Sequence, residues 1–202
     1  MKKRTINILI FIVSIAIIIL GYYIFSKYYF NYINEKSIDE FLENNYKMVG
    51  SNIDDDIDKS TILTEIPKYK GYNVLGMIKI DKIGLAYPII EANTNKDEAL
   101  NVSIIKFYGN DLNENGNVVL AGHNYYDSTM FAKLHMLKSG DKIKIIDSSK
   151  RQVEYIIYDI YDTSPNDTKC LETLDFYTKE LTLITCTKGN SQRLVVKAKG
   201  IN

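Results

Sequence analysis

After Pro67 the chain becomes a succession of short apolar runs separated by turn residues. They read VLGMIKI, IGLAYPII, NVVLAGHN, DKIKIID, RQVEYIIYDIYD, ELTLITC and RLVVKAKG. Most are shorter than a helix of ordinary length and rich in Ile, Val, Tyr and Thr. Seven or so such strands with frequent turns predict a mainly β sandwich or closed barrel rather than a parallel sheet of βαβ units. Helical turns fit only at KDEALN and STMFAKLHML, and Pro88 suits a strand edge or bend because it has no N–H to give a ladder. No internal repeat is visible.

The N-terminal part has a different texture. MKKR is followed by an uncharged, strongly apolar run from Thr5 to Ser26, enough for a helix to cross roughly 30 Å of hydrocarbon. Positive charge at the start and tyrosines Tyr22, Tyr23, Tyr28 and Tyr29 at the far end predict a single-pass anchor with its N-terminus in the cytoplasm. A cleaved signal peptide fits less well, because its apolar region is shorter and ends in small residues. The expected organisation is residues 1–26 as cytoplasmic N-terminus and transmembrane anchor, 27–70 as an extracytoplasmic helix and linker, and 71–202 as the main domain. Within the linker, IDEFLENNYKMV has helical spacing. The acidic cluster Asp54, Asp55, Asp56 reads as solvated spacer rather than a calcium site.

Charge excludes one class of partner. Lys+Arg and Asp+Glu number 25 each, so there is no basic excess to neutralise a phosphate backbone, and nucleic acid is not an expected ligand.

Two places put a reactive side chain where an apolar strand gives way to a turn, the position from which a rigid scaffold presents groups to a cleft. One is VVLAGHNYYD, with His123. The other is TLITCTKGNSQR, with Cys186 and, seven positions on, Arg193. A thiolate is a strong nucleophile, an imidazole can protonate a leaving amine, and a guanidinium can donate to an oxyanion or substrate carbonyl. Together the three make an acyl-transfer set. Taken singly, each has an ordinary alternative: Cys186 as core, His123 as a hydrogen-bonded loop residue, Arg193 as an outward strand residue. His135 in AKLHMLKSGD reads as structural, and Cys170 lies in a polar loop with no evident cationic partner. A Cys170–Cys186 disulfide, which would consume the nucleophile, stays open at this point. Two Cys and two His lack the close spacing of a zinc site, so neither metal nor cofactor is expected.

These residues carry a family resemblance. Thr182-Leu183-Ile184-Thr185-Cys186 matches the TLxTC signature, Arg193 the downstream arginine, and LAGHN with His123 the histidine motif. Taken with GMIKIDKIGLAYPI and FAKLHMLKSGDKI, the chain from about Tyr72 to Lys199 resembles the sortases, membrane-anchored cysteine transpeptidases of Gram-positive bacteria. The resemblance implies a closed eight-stranded β-barrel. It implies cleavage after the threonine of an LPXTG-like sorting signal on secreted proteins, through a thioacyl enzyme, and transfer to an amine of a lipid-linked cell-wall precursor. Cys186 would be the nucleophile, His123 the acid and then base, and Arg193 the group that orients substrate and stabilises the oxyanion. No Asp-Pro-aromatic lid motif occurs between Lys27 and Lys70, and only Thr163 to Glu180 separates the two strands before the cysteine. Both features lean to a class A-like or class D-like member. Two other readings remain: a non-catalytic module that binds wall peptides, and a hydrolytic cysteine protease.

Overall fold

The computed structural model describes residues 6–7, 11–25, 67–92, 95–125, 129–187, 189 and 191–201. Helix α1 covers residues 11–25. Among the described residues no helix is long and apolar enough to cross a membrane. The expected membrane-spanning anchor is therefore corrected. The placement built on it, a single-pass protein with a cytoplasmic N-terminus and an extracytoplasmic domain, falls with it. The expected linker helix and the Asp54–Asp56 spacer lie outside the described residues.

From Pro67 onward the chain is β. The elements are β1 (Lys68–Tyr69), β2 (Tyr72–Ile80), β3 (Leu85–Glu91), α2 (Lys96–Val102), β4 (Ile104–Gly109), β5 (Gly116–Ala121), β6 (Lys142–Asp147), β7 (Gln152–Thr163), β8 (Lys179–Thr187) and β9 (Gln192–Ile201). Hydrogen bonding runs β2-β3-β4-β5-β8-β9-β7-β6, and β6 pairs back to β2, so eight strands close a barrel and the two-residue β1 only pairs antiparallel with the start of β2. Two of the pairings are parallel, β3 with β4 and β5 with β8. The first is a small βαβ unit through α2. Asn95 caps that helix, its side-chain oxygen accepting from the N–H groups of Asp97 and Glu98 at 3.2 and 3.3 Å.

Alternation sorts the side chains into two faces. Leu181 and Leu183 of β8 face Ala198 and Val196 of β9 inside the barrel, where Ile78, Ile145, Phe131 and Leu120 complete a core with no exposure. Pro88 pairs with Met77 of β2, one residue before the β4 ladder begins at Ile89, so its missing N–H interrupts nothing on that side. Ser103 instead donates to the Pro88 carbonyl at 2.6 Å.

The outward face of β8 and β9 is not left to solvent. Glu180 and Thr182 are fully buried and Lys197 is 5% exposed, because the β7–β8 connection lies across them. Asn117 of β5 donates from Nδ2 to the carbonyls of Cys170, Leu171 and Glu172 at 3.2, 3.3 and 3.1 Å, and Lys197 Nζ donates to the Cys170 carbonyl at 3.2 Å.

Two barrel tyrosines make the fold sensitive to alkali. Burial pushes the Tyr155 hydroxyl above its ordinary range, and burial with Glu180 and Asp159 nearby pushes Tyr158 up to about 12. A group whose folded pKa is raised adds stability that is complete below its unfolded value and is lost as pH climbs towards the folded one. The urea midpoint is therefore expected to hold up to about pH 10 and to fall between 10 and 12, with tyrosinate absorbance appearing in step. A flat midpoint across that window would contradict this.

Candidate active site

Cys186 and Arg193 are cross-strand partners in the β8–β9 ladder. Directly opposed residues of an antiparallel pair project to the same face with their Cβ atoms about 5 Å apart. Both are half-buried, and both lie on the outward face at the end of the barrel where β8 stops. Arg193 Nη1 also donates to the Gln192 carbonyl at 3.2 Å.

His123 arrives from β5. The parallel ladder of β5 with β8 ends at Ala121↔Ile184, and continuing that register by two residues sets His123 level with Cys186. Three hydrogen bonds hold the histidine turn to the cysteine strand. Gly122 N–H donates to Ile184 O at 3.2 Å, Thr185 Oγ1 donates to Gly122 O at 2.7 Å, and Asn124 Nδ2 donates to Cys186 O at 2.9 Å. Position 122 has no room for a side chain, since a Cβ there would lie 2.9 Å from the ring of buried Phe131. The Tyr125 ring tilts against the imidazole, with centroids 4.8 Å apart, and its hydroxyl donates to Asn101 Oδ1 of α2 at 3.3 Å. Thus the three residues singled out in the sequence lie at one end of the barrel, on or just past the ends of β5, β8 and β9.

The other candidates separate from them. His135 sits on a 3-10 turn, Leu134–Met136, with Nδ1 2.9 Å from the Ala132 carbonyl, a structural placement. Cys170 and Cys186 are both free thiols. The Cys170 carbonyl accepts from Thr182 Oγ1, and Thr182 lies four residues, about 13 Å, before Cys186 on β8. With both thiols free, the disulfide left open by the sequence is not formed. Burial raises the Cys170 thiol, with Lys197 partly opposing it. The sequence had concealed that cation as an ordinary strand lysine. Among the described residues no group of three or more His, Cys, Asp or Glu could hold a metal ion.

The geometry, a thiol beside an arginine with a histidine turn bonded to the same strand end, meets an independent comparison. The family model for the sortase domain matches residues 78–201. The chain belongs to the sortase family.

Sortase A of Bacillus anthracis is 33% identical over 126 residues, which are 61% of this chain and 58% of that protein's length. Sortase A of Staphylococcus aureus is 29% identical over 197 residues, covering 95% of this chain and 92% of the relative. Among solved structures, a Clostridium perfringens sortase D5 transpeptidase superposes with a TM-score of 0.59 at 29% identity, covering 84% of this chain and 99% of that one. Proteins designated sortase B and sortase C also match, so the lean towards class A or D rests on the sequence features alone.

Proposed function

We propose that this sortase is a cysteine transpeptidase whose catalytic residues are Cys186, His123 and Arg193, carried on a catalytic unit from 71 to 202. The observation that carries the reading is the Cys186↔Arg193 cross-strand pair with the histidine turn hydrogen-bonded to the same strand end. The family and the fold support a transpeptidase.

In the first half-reaction the Cys186 thiolate attacks the carbonyl carbon of the threonine in an LPXTG-like sorting signal, and Arg193 donates to the developing oxyanion. The carbon–nitrogen bond to the next residue breaks as the His123 imidazolium protonates the departing amine. In the second, an amine of a cell-wall precursor attacks the thioester, gives its proton to His123 and expels the thiolate. One amide replaces another, so no external energy source is needed. The partners on this reading are secreted proteins with a C-terminal sorting signal and the cell-wall amine.

The test is to incubate the full chain with LPXTG-like, NPQTN-like and scrambled peptides, with and without an amine acceptor, and to read products by mass spectrometry. Amine-dependent ligation with an adduct on Cys186 is the expected result. Release to water whatever the amine present would make it a hydrolytic protease. A folded protein with a free thiol that binds a peptide and never cleaves it would make it a binding module.

A further inference from the structure

The parallel ladder between β5 and β8 stops at Ala121↔Ile184, yet the histidine lies two residues beyond. Past that point the carbonyls of β8 are taken in turn. Ile184 O accepts from the backbone of Gly122 at 3.2 Å, and Cys186 O accepts from the side chain of Asn124 at 2.9 Å. A carbonyl oxygen can only accept, so the NH₂ end of the amide faces it. Asn124 thus supplies, from its side chain, the bond that the backbone would have made had the strand continued. On the other side the His123 carbonyl accepts from Phe131 N–H at 2.9 Å, and Asn124 forms an isolated bridge with Met130. The His123 peptide is gripped between these two contacts.

We propose that Asn124 is a positioning residue for the reaction: its amide, bonded to the backbone of the nucleophile, sets the reach of the His123 imidazole to the Cys186 sulfur. This rests on the catalytic reading given above. Without that bond, the last tie among the described residues from the histidine turn to the outer end of β8 retreats to Gly122–Ile184 and Gly122–Thr185, short of Cys186 itself. Displacements of about 1 Å between reacting groups can cost about 100-fold in rate. Asn124 is exposed and takes no part in the core, so the loss is separable from unfolding.

The experiment compares the full-length protein with its Asn124→Ala and Asn124→Asp variants. The second keeps the size and removes the donor. Both are expected to lower kcat by roughly 10- to 100-fold, with KM within about twofold and an unchanged thermal midpoint. Activity equal to the parent in Asn124→Asp overturns the proposal, as does a loss confined to KM or one that tracks a fallen thermal midpoint. If the parent ligates no peptide, or Cys186→Ala still does, the catalytic reading has failed, and alkylation of Cys186 by iodoacetamide at neutral pH decides the positioning claim by itself. A nearby imidazolium speeds that alkylation, so the Asn124 variants should react several-fold more slowly. An unchanged alkylation rate sinks the claim.

Discussion

Cys186→Ala should bring amine-dependent ligation down to the background rate, a loss of at least about 10⁴-fold, because in the proposed covalent mechanism Cys186 is the nucleophile and its removal leaves only binding and oxyanion contributions. Cys170→Ala should keep most of the activity. The two thiols differ in what surrounds them. Cys186 is half-buried opposite Arg193, at a strand end that carries the histidine turn. Cys170 is 5% exposed within the β7–β8 connection, with its thiol raised by burial and its carbonyl serving Asn117, Thr182 and Lys197. Mass spectrometry of a peptide and amine mixture checks both variants at once. Ligation surviving in Cys186→Ala would remove the proposed mechanism.

Lys197→Met is expected to destabilise the barrel by about 3 kcal/mol while leaving the catalytic end intact. Lys197 Nζ donates to Thr182 Oγ1 at 2.9 Å and to the Cys170 carbonyl at 3.2 Å, and burial holds its pKa below the ordinary lysine range while Glu180 opposes that shift. Glu180 is fully buried. Its Oε2 accepts from Leu174 N–H at 3.3 Å, and its Oε1 has no hydrogen-bond partner. Removing the cation takes the donor from the Thr182 hydroxyl and the Cys170 carbonyl and removes the positive charge that Glu180 acts on through space, a costly loss in a buried polar network. Adding Glu180→Leu should recover most of the loss, and urea unfolding of the two single variants and the double variant forms the cycle that measures the coupling. Strict additivity would show that the two charges do not communicate.

How far such features were visible in the sequence varied with how local their causes are. The seven runs quoted after Pro67 are strands β2, β3 and β5 to β9, since each carries its own alternation and turn signals. Strand β4, Ile104–Gly109, escaped notice because both of its faces are covered. Ile104 packs in the main core and Ile105 in a second cluster with Val74, Ile90 and Ala99, so no polar alternation marks it. The same is true of chemistry. Cys186, His123 and Arg193 stood out by residue type at strand ends, whereas their meeting depends on β5 lying parallel to β8, which spacing does not reveal. Arg193 had the ordinary alternative of an outward strand residue, and it does face outward; the face is the one that Cys186 shares. Lys197 and Glu180 look like solvated strand residues in VVKAKG and ELTLITC. They are buried only because a distant loop folds over them. Asn124 reads as a turn residue until its partner, 62 positions away, is known.

The parallel pairing of β5 with β8 also bears on when competence arises during folding. The two strands are separated in sequence by β6, β7 and the long connection after β7, and β8 reaches β5 only as an inner member of a closed cycle. Contacts of such sequence separation carry a loop-closure penalty and form slowly relative to hairpins such as β6–β7. A chain that has made its local hairpins but not this long-range pairing holds a thiol and an imidazole that have never met. On the proposed mechanism, acyl transfer is therefore confined to the completed barrel, and a refolding time course should show ligation emerging with the slowest structural phase rather than with the early gain of β signal.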